Sequence, residues 1–205
     1  MQIKIIDKTC KWLVCVIGYS FLFLVIKLWL LPCHAQAADG PQYKKSSVAI
    51  TVPDEVLINQ DGEKVRLKDF LNDPAQPVVV DFIYGTCTTI CPILSAGFAN
   101  LQRKLGGDSR KVRLVSITID PEHDTPKVMK EYLERYHARP GWDFLTGSRA
   151  SIENVMREFD AYFPDKMSHL PLNFIRQPGD GKWVRLYGLM SSGDFMNECQ
   201  QAGIK

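Results

Sequence analysis

A marked excess of either charge is missing from this chain. Its 25 lysines and arginines face 23 aspartates and glutamates over 205 residues, and no basic stripe gathers on any one stretch, so the footprint of a nucleic-acid binder is absent. There is no internal repeat and no low-complexity tract, which excludes solenoids and arrays. Histidine is scarce, at four residues. Cysteine is scarce where it matters: of six, Cys10 and Cys15 fall in or beside an apolar run and Cys33 at its exit, leaving Cys87, Cys91 and Cys199. A framework of many disulfides is therefore excluded, and whatever the cysteines do must be done by one close pair and one outlier.

What the chain does have is a long apolar run. Trp12 to Leu31, "WLVCVIGYSFLFLVIKLWLL", is long enough to cross a bilayer core, and its single charge, Lys27, lies near the end, where its stem can reach the interface. Lys4, Lys8 and Lys11 precede it against Asp7 alone, which keeps the N-terminus cytoplasmic. Ala35 and Ala37 in "CHAQAADG" offer the pattern of a signal-peptidase site. An anchor is preferred over a cleaved signal because the run is long for a signal. The expectation is a bacterial inner-membrane protein, spanning once, with its C-terminal domain in the periplasm; cleavage would leave that domain soluble there.

Composition divides the chain into residues 1–38, the N-terminus with its anchor or signal; 39–53, a polar linker with two prolines; and 54–205, a folded domain. "VLINQDGEKVRL" reads as a hairpin turning at Asp61-Gly62. "PVVVDFIY" is a strand buried on both faces. Leu94, Phe98, Leu101 and Leu105 form a helical stripe stopped by Gly106-Gly107. "KVRLVSITI" is the next strand, and Thr125-Pro126 starts a helix carrying Val128, Met129, Tyr132, Leu133 and Tyr136 on one face. A short strand "WDFLTG", a helix with Ile152, Val155, Met156, Phe159 and Phe163, a hairpin around Gly179-Asp180-Gly181 and a last helix from about Gly193 to Ala202 complete the order. Strands and helices alternating in this way imply an α/β sheet with helices on both faces.

The chemistry is concentrated in "YGTCTTICPIL". Cys87 and Cys91 stand where a buried strand meets a helix, and Pro92 disfavours helical backbone at Cys91, placing both at the junction. Free backbone N–H groups and the helix dipole there favour thiolate. A staple closing so short a loop would stabilise little. Two uses remain open: a redox dithiol, which in an oxidising compartment forms a Cys87–Cys91 disulfide unless reduced, and a pair of soft ligands for Cu(I) or zinc, with copper wanting a third donor such as imidazole. Among the histidines, His34 lies at the membrane exit, His123 in the loop "DPEHDTP" and His137 on a polar helix face. His169, in "MSHLPLNFI", enters a buried strand beside the cysteine loop and is the candidate third ligand. Met167 is read as packing, Asp124 and Thr125 as helix capping, and Cys199 has no evident partner.

"DFIYGTCTTICP", "IDPEHDTPKVMKEYLERY", "GWDFLTG" and "SHLPLNFI" resemble the SCO/SenC proteins, copper-binding assembly factors for cytochrome c oxidase, over roughly Val52 to the C-terminus. The resemblance implies a thioredoxin-like fold with an added N-terminal hairpin and an inserted hairpin behind a membrane anchor. It implies one copper ion, Cu(I) or Cu(II), held by Cys87, Cys91 and His169. The partners it implies are subunit II of the oxidase, or a related copper protein, and a thiol reductant. The function implied is copper delivery to the Cu(A) centre, a metallochaperone and not an enzyme; the alternative is a thiol-disulfide oxidoreductase using Cys87 and Cys91 to reduce the cysteines of that centre or of other partners. Two departures stand out: Thr88 and Thr89 are neutral where many members carry an acid, and Leu170-Pro171 follows the histidine after a short approach from Phe163. Were Leu170-Pro171 cis, the thiol-exchange reading would gain.

Overall fold

The computed structural model describes residues 43–179 and 181–204. The run expected to cross the membrane lies outside them; among the described residues no helix is long and apolar enough to span a bilayer.

Strand β4, Val78–Ile83, is buried at every position, as its unbroken apolar run requires of a strand covered on both faces. It pairs in parallel with β5, Arg113–Thr118, and antiparallel with β7, Leu172–Arg176. Outward from β5 lies β6, Trp142–Leu145, and outward from β7 lies β8, Trp183–Tyr187. The sixth strand corrects the linker expectation. Lys44–Val48 forms β1, antiparallel to β8 at the sheet edge. Its side chains are mostly exposed, so no apolar alternation marks it in the sequence; the backbone ladder makes the strand, and two lysines suit an edge.

The expected first hairpin is β2, Val56–Ile58, with β3, Lys64–Arg66, a separate two-stranded sheet. Asn59 Oδ1 accepts from the N–H groups of Asp61 and Glu63, and Gly62 takes φ +80°, a conformation glycine reaches without strain. A single turn-and-a-half of helix, α1, Leu67–Leu71, follows.

Register sorts the sheet into two faces. Phe82 and Phe174 point one way, where Phe159 meets both edge-on at 5.5 and 5.2 Å from the end of α4, Arg149–Glu158. The helix is shorter than its stripe: Phe159 ends it and Phe163 lies beyond. On the other face Asp81, Ser116, Phe144 and Asn173 align across β4, β5, β6 and β7. That face is covered by α2, Cys91–Leu105, α3, Pro126–Arg135, and α5, Ser192–Gln201. Phe98 of α2 joins Trp142 and Phe195, while Ser95 of α2 hydrogen-bonds Tyr132 of α3. Such edge-to-face and stacked pairs each add about 0.5–1.5 kcal/mol beyond area burial. Thr125 caps α3 and Pro126 opens it, as expected.

Candidate metal centre

Asp81 on β4 pairs with Asn173 on β7 in an antiparallel ladder. The entrance to β7 is therefore brought to the exit of β4, and residues 78 positions apart meet: Cys91 Sγ lies 3.4 Å from His169 Nε2. Cys87 Sγ joins them, the three donor atoms all falling within 4.8 Å of one another. All three residues are buried or nearly so, at 7, 0 and 9 % exposure for Cys87, Cys91 and His169. Cys91 is itself the first residue of α2, with Pro92 behind it. Proline is tolerated in a first turn, where no intrahelical acceptor awaits its missing N–H, and this outweighs the bias toward an extended Cys91.

The imidazole is oriented by its own approach. A 3-10 turn at Lys166–Ser168 precedes it, with the Asp165 carboxylate accepting from Met167 N–H. His169 Nδ1 lies 2.7 Å from the Lys166 carbonyl. A carbonyl only accepts, so Nδ1 carries the proton and the Nε2 lone pair faces the sulfurs, the tautomer a metal ligand needs. Burial lowers the His169 pKa, the Lys166 carbonyl opposing it in part; the neutral ring is favoured. Tyr84 packs edge-on against this ring at 5.3 Å. The Lys166 ammonium pairs at 2.6 Å with Asp120, a buried carboxylate on the opposite loop.

The two thiols differ. Burial opposes ionisation of Cys87, but hydrogen bonds from the Cys91 side chain, the Thr89 and Cys91 N–H groups and the Thr89 hydroxyl outweigh it, and its pKa is lowered. Cys91 is raised, first by burial and then by its bond to Cys87, with the carboxylate of Asp81 adding to the effect. Ionisation is eased at the first sulfur and opposed at its neighbour.

Asp124 turns out to brace this loop, a role that the capping expectation missed. Its two oxygens accept from Gly85 N–H at 3.0 and 3.1 Å, and Thr118 donates to it as well. A Cβ on Gly85 would stand 2.7 Å from Asp124 Oδ1, so the close approach requires glycine. Replacing Asp124 by alanine would strand Gly85 N–H and Thr118; a loss of about 1.5–3 kcal/mol in denaturant-unfolding stability is expected, the range for hydrogen bonds to a charged group.

Asp120, Glu122 and His123 also lie within 4.8 Å of one another, but Asp120 is already engaged by Lys166 and by His123 Nδ1. His137 sits past the end of α3 with φ 53°, and His34 lies outside the described residues. Cys199 is buried in α5 without a disulfide partner, and burial pushes its thiol up to about 12. Among the described residues no peptide bond is cis, so the condition attached to Leu170-Pro171 is not met. Met167 is not packing at all: it is 69 % exposed, and its sulfur accepts a hydrogen bond from the Tyr84 hydroxyl at 3.4 Å. Sequence reading missed Tyr84, Asp120, Asp124 and Lys166. The paired acids of "DPEHDTP" were the available signal for two of them.

Fold and site together define a mixed α/β, thioredoxin-like protein with two cysteines and a histidine converging at the end of its central strand. The SCO1/SenC family model matches residues 45–191, and the chain belongs to that family. It is 33% identical over 178 residues to the SCO1 protein homolog of Bacillus subtilis, covering 83% of this chain and 84% of that one. Its fold is similar to that of BsSco, described as a member of the Sco family of cytochrome c oxidase assembly proteins in which a disulfide switch was identified (TM-score 0.62, 30% identity, 78% of this chain and 96% of that one). It is also similar to Bradyrhizobium japonicum ScoI with copper bound (TM-score 0.61, 28% identity, 75% of this chain and 99% of that one).

Proposed function

We propose that this protein carries a single copper ion on Cys87, Cys91 and His169 and passes it to the Cu(A) site of a cytochrome c oxidase, or to a related copper protein, during assembly. The observation that carries the reading is the imidazole. A distant histidine whose lone pair faces Cys91 Sγ beside Cys87, with its other nitrogen tied to a carbonyl, completes a three-donor set that dithiol exchange does not require. Two thiolates and one imidazole form a soft, three-donor set suited to Cu(I). The buried setting excludes water from the ion, and exchange of one protein ligand at a time moves it on. The N-terminal run, read as an anchor, would hold the domain at the periplasmic face of the inner membrane, where a local reductant keeps the thiols reduced.

The thiol asymmetry favours a second reading. A lowered Cys87 beside a raised Cys91 suits attack on a partner's disulfide by the first sulfur and release by the second, with two electrons passing to the partner and Cys87–Cys91 becoming the disulfide. Both readings are tested together. Anaerobic titration of the reduced protein with Cu(I) against a competing chelator should show one tight site, and X-ray absorption of the loaded protein should show sulfur and nitrogen donors. All-sulfur coordination would sink the carrier reading; a trapped mixed disulfide in Cys91→Ser, with no tight copper site, would install the exchange reading instead.

A further inference from the structure

An enclosed soft ion needs a way out. Cys87, Cys91 and His169 are all buried or nearly so, and an acceptor's ligands cannot approach three buried donors at once. Ligand exchange therefore calls for a further donor of matching softness at the mouth. Among the described residues Met167 is the one methionine that is exposed, and no described cysteine is. It lies two residues before His169, on the turn that delivers the imidazole.

Its sulfur is also held toward the site. The Tyr84 hydroxyl donates to Met167 Sδ at 3.4 Å while the Tyr84 ring packs edge-on against His169 at 5.3 Å. A phenol hydroxyl is a hard donor that competes poorly with sulfur for Cu(I). The Tyr84 ring thus touches His169 within the site while its hydroxyl touches the Met167 thioether, which stands in solvent. Thioether sulfur is polarizable, carries no proton to lose and binds Cu(I) in preference to hard ions.

Resting on the copper reading above, we propose that Met167 is an outer transfer ligand, the soft donor through which Cu(I) enters and leaves the Cys87–Cys91–His169 site, with the Tyr84 hydroxyl as the catch that parks its sulfur between transfers. The step is ligand exchange without redox change: a copper–thiolate bond breaks as the copper–thioether bond forms, the copper remains Cu(I), and the released thiolate takes a proton from water.

The test separates rate from affinity. The protein loaded with one Cu(I) is mixed anaerobically with excess bathocuproine disulfonate, and release is followed by stopped-flow absorbance. Met167→Leu, which keeps the bulk and removes the sulfur, should slow release about tenfold, the lower end of what outer partners of a metal site contribute, with a much smaller change in equilibrium affinity. Tyr84→Phe, which frees the thioether, should not slow release. In protein labelled with carbon-13 at the methionine methyls, Ag(I) added beyond one equivalent should move the Met167 resonance and leave Met190 and Met196 in place. Wild-type release from Met167→Leu, or a loss of affinity as large as the loss of rate, overturns the proposal even where the tight site itself is intact; so does an unmoved Met167 methyl. Absence of any tight Cu(I) site in the wild-type titration would instead remove the carrier reading on which it rests.

Discussion

Replacing His169 by alanine is expected to weaken Cu(I) binding at least about 100-fold, the ceiling for loss of a mere outer partner, equivalent to about 2.7 kcal/mol. The reasoning is local. The ring contributes one of three donors, is buried, and is held in the metal-binding tautomer by the Lys166 carbonyl. Its removal leaves two sulfurs lying side by side and a void where nitrogen stood. His169→Gln, which retains polarity without the aromatic lone pair, should behave like the alanine variant. Competition against a calibrated Cu(I) chelator on the reduced protein measures both. Affinity within a few-fold of wild type would strip His169 of its place in the site. Circular dichroism of the two apo variants guards against a trivial loss through unfolding.

The second large effect is on stability. Asp81 is fully buried on the central strand, and neither carboxylate oxygen has a hydrogen bond of good geometry, only the nearby Ser116 hydroxyl and its own N–H. Burial pushes it up to about 7 from 3.8, offset only in part by the neighbouring Ser116 hydroxyl and its own N–H. A folded-state pKa above the unfolded one means that the neutral acid is favoured by folding. Its stabilising share is complete below about pH 4, declines as pH rises, and is gone above about pH 7, a swing of about 4 kcal/mol. Asp81→Asn, neutral throughout, should match wild type near pH 4, exceed it increasingly up to about pH 7, and hold a constant lead above that. Urea unfolding of both proteins across that range isolates Asp81, because Asp124, Asp143 and His169, which also titrate from shifted positions, are common to the pair and cancel. A gap independent of pH would refute the assignment. The same variant should lower the Cys91 thiol pKa, since the Asp81 charge raises it.

Buried strands and capped helices were legible in the sequence because they are written in local signals. β4 is a run of apolar residues, α3 begins at Thr125-Pro126, and α2 stops at Gly106. β1 was not, because an edge strand with exposed side chains owes its form to the ladder of β8, and that is invisible in its own residues. The pairing of His169 with the cysteines was readable from topology, the antiparallel entry of β7 beside the exit of β4. The braces around it were not. Asp124 reaches Gly85 across 39 positions and Lys166 reaches Asp120 across 46; local spacing makes Asp124 look like a cap. Met167 was misjudged for a related reason, since only its surroundings could show that it stands mostly in solvent with its sulfur on the Tyr84 hydroxyl.

The meeting of β4 with β7 has a consequence for timing. An imidazole and two sulfurs separated by about half of the domain's length come together only after that ladder has closed. A chain threaded in extended form through a translocation channel would carry no assembled cradle, so cargo acquired earlier would be shed on the way. Loading must follow folding, on whichever side of the barrier the sheet first zips shut.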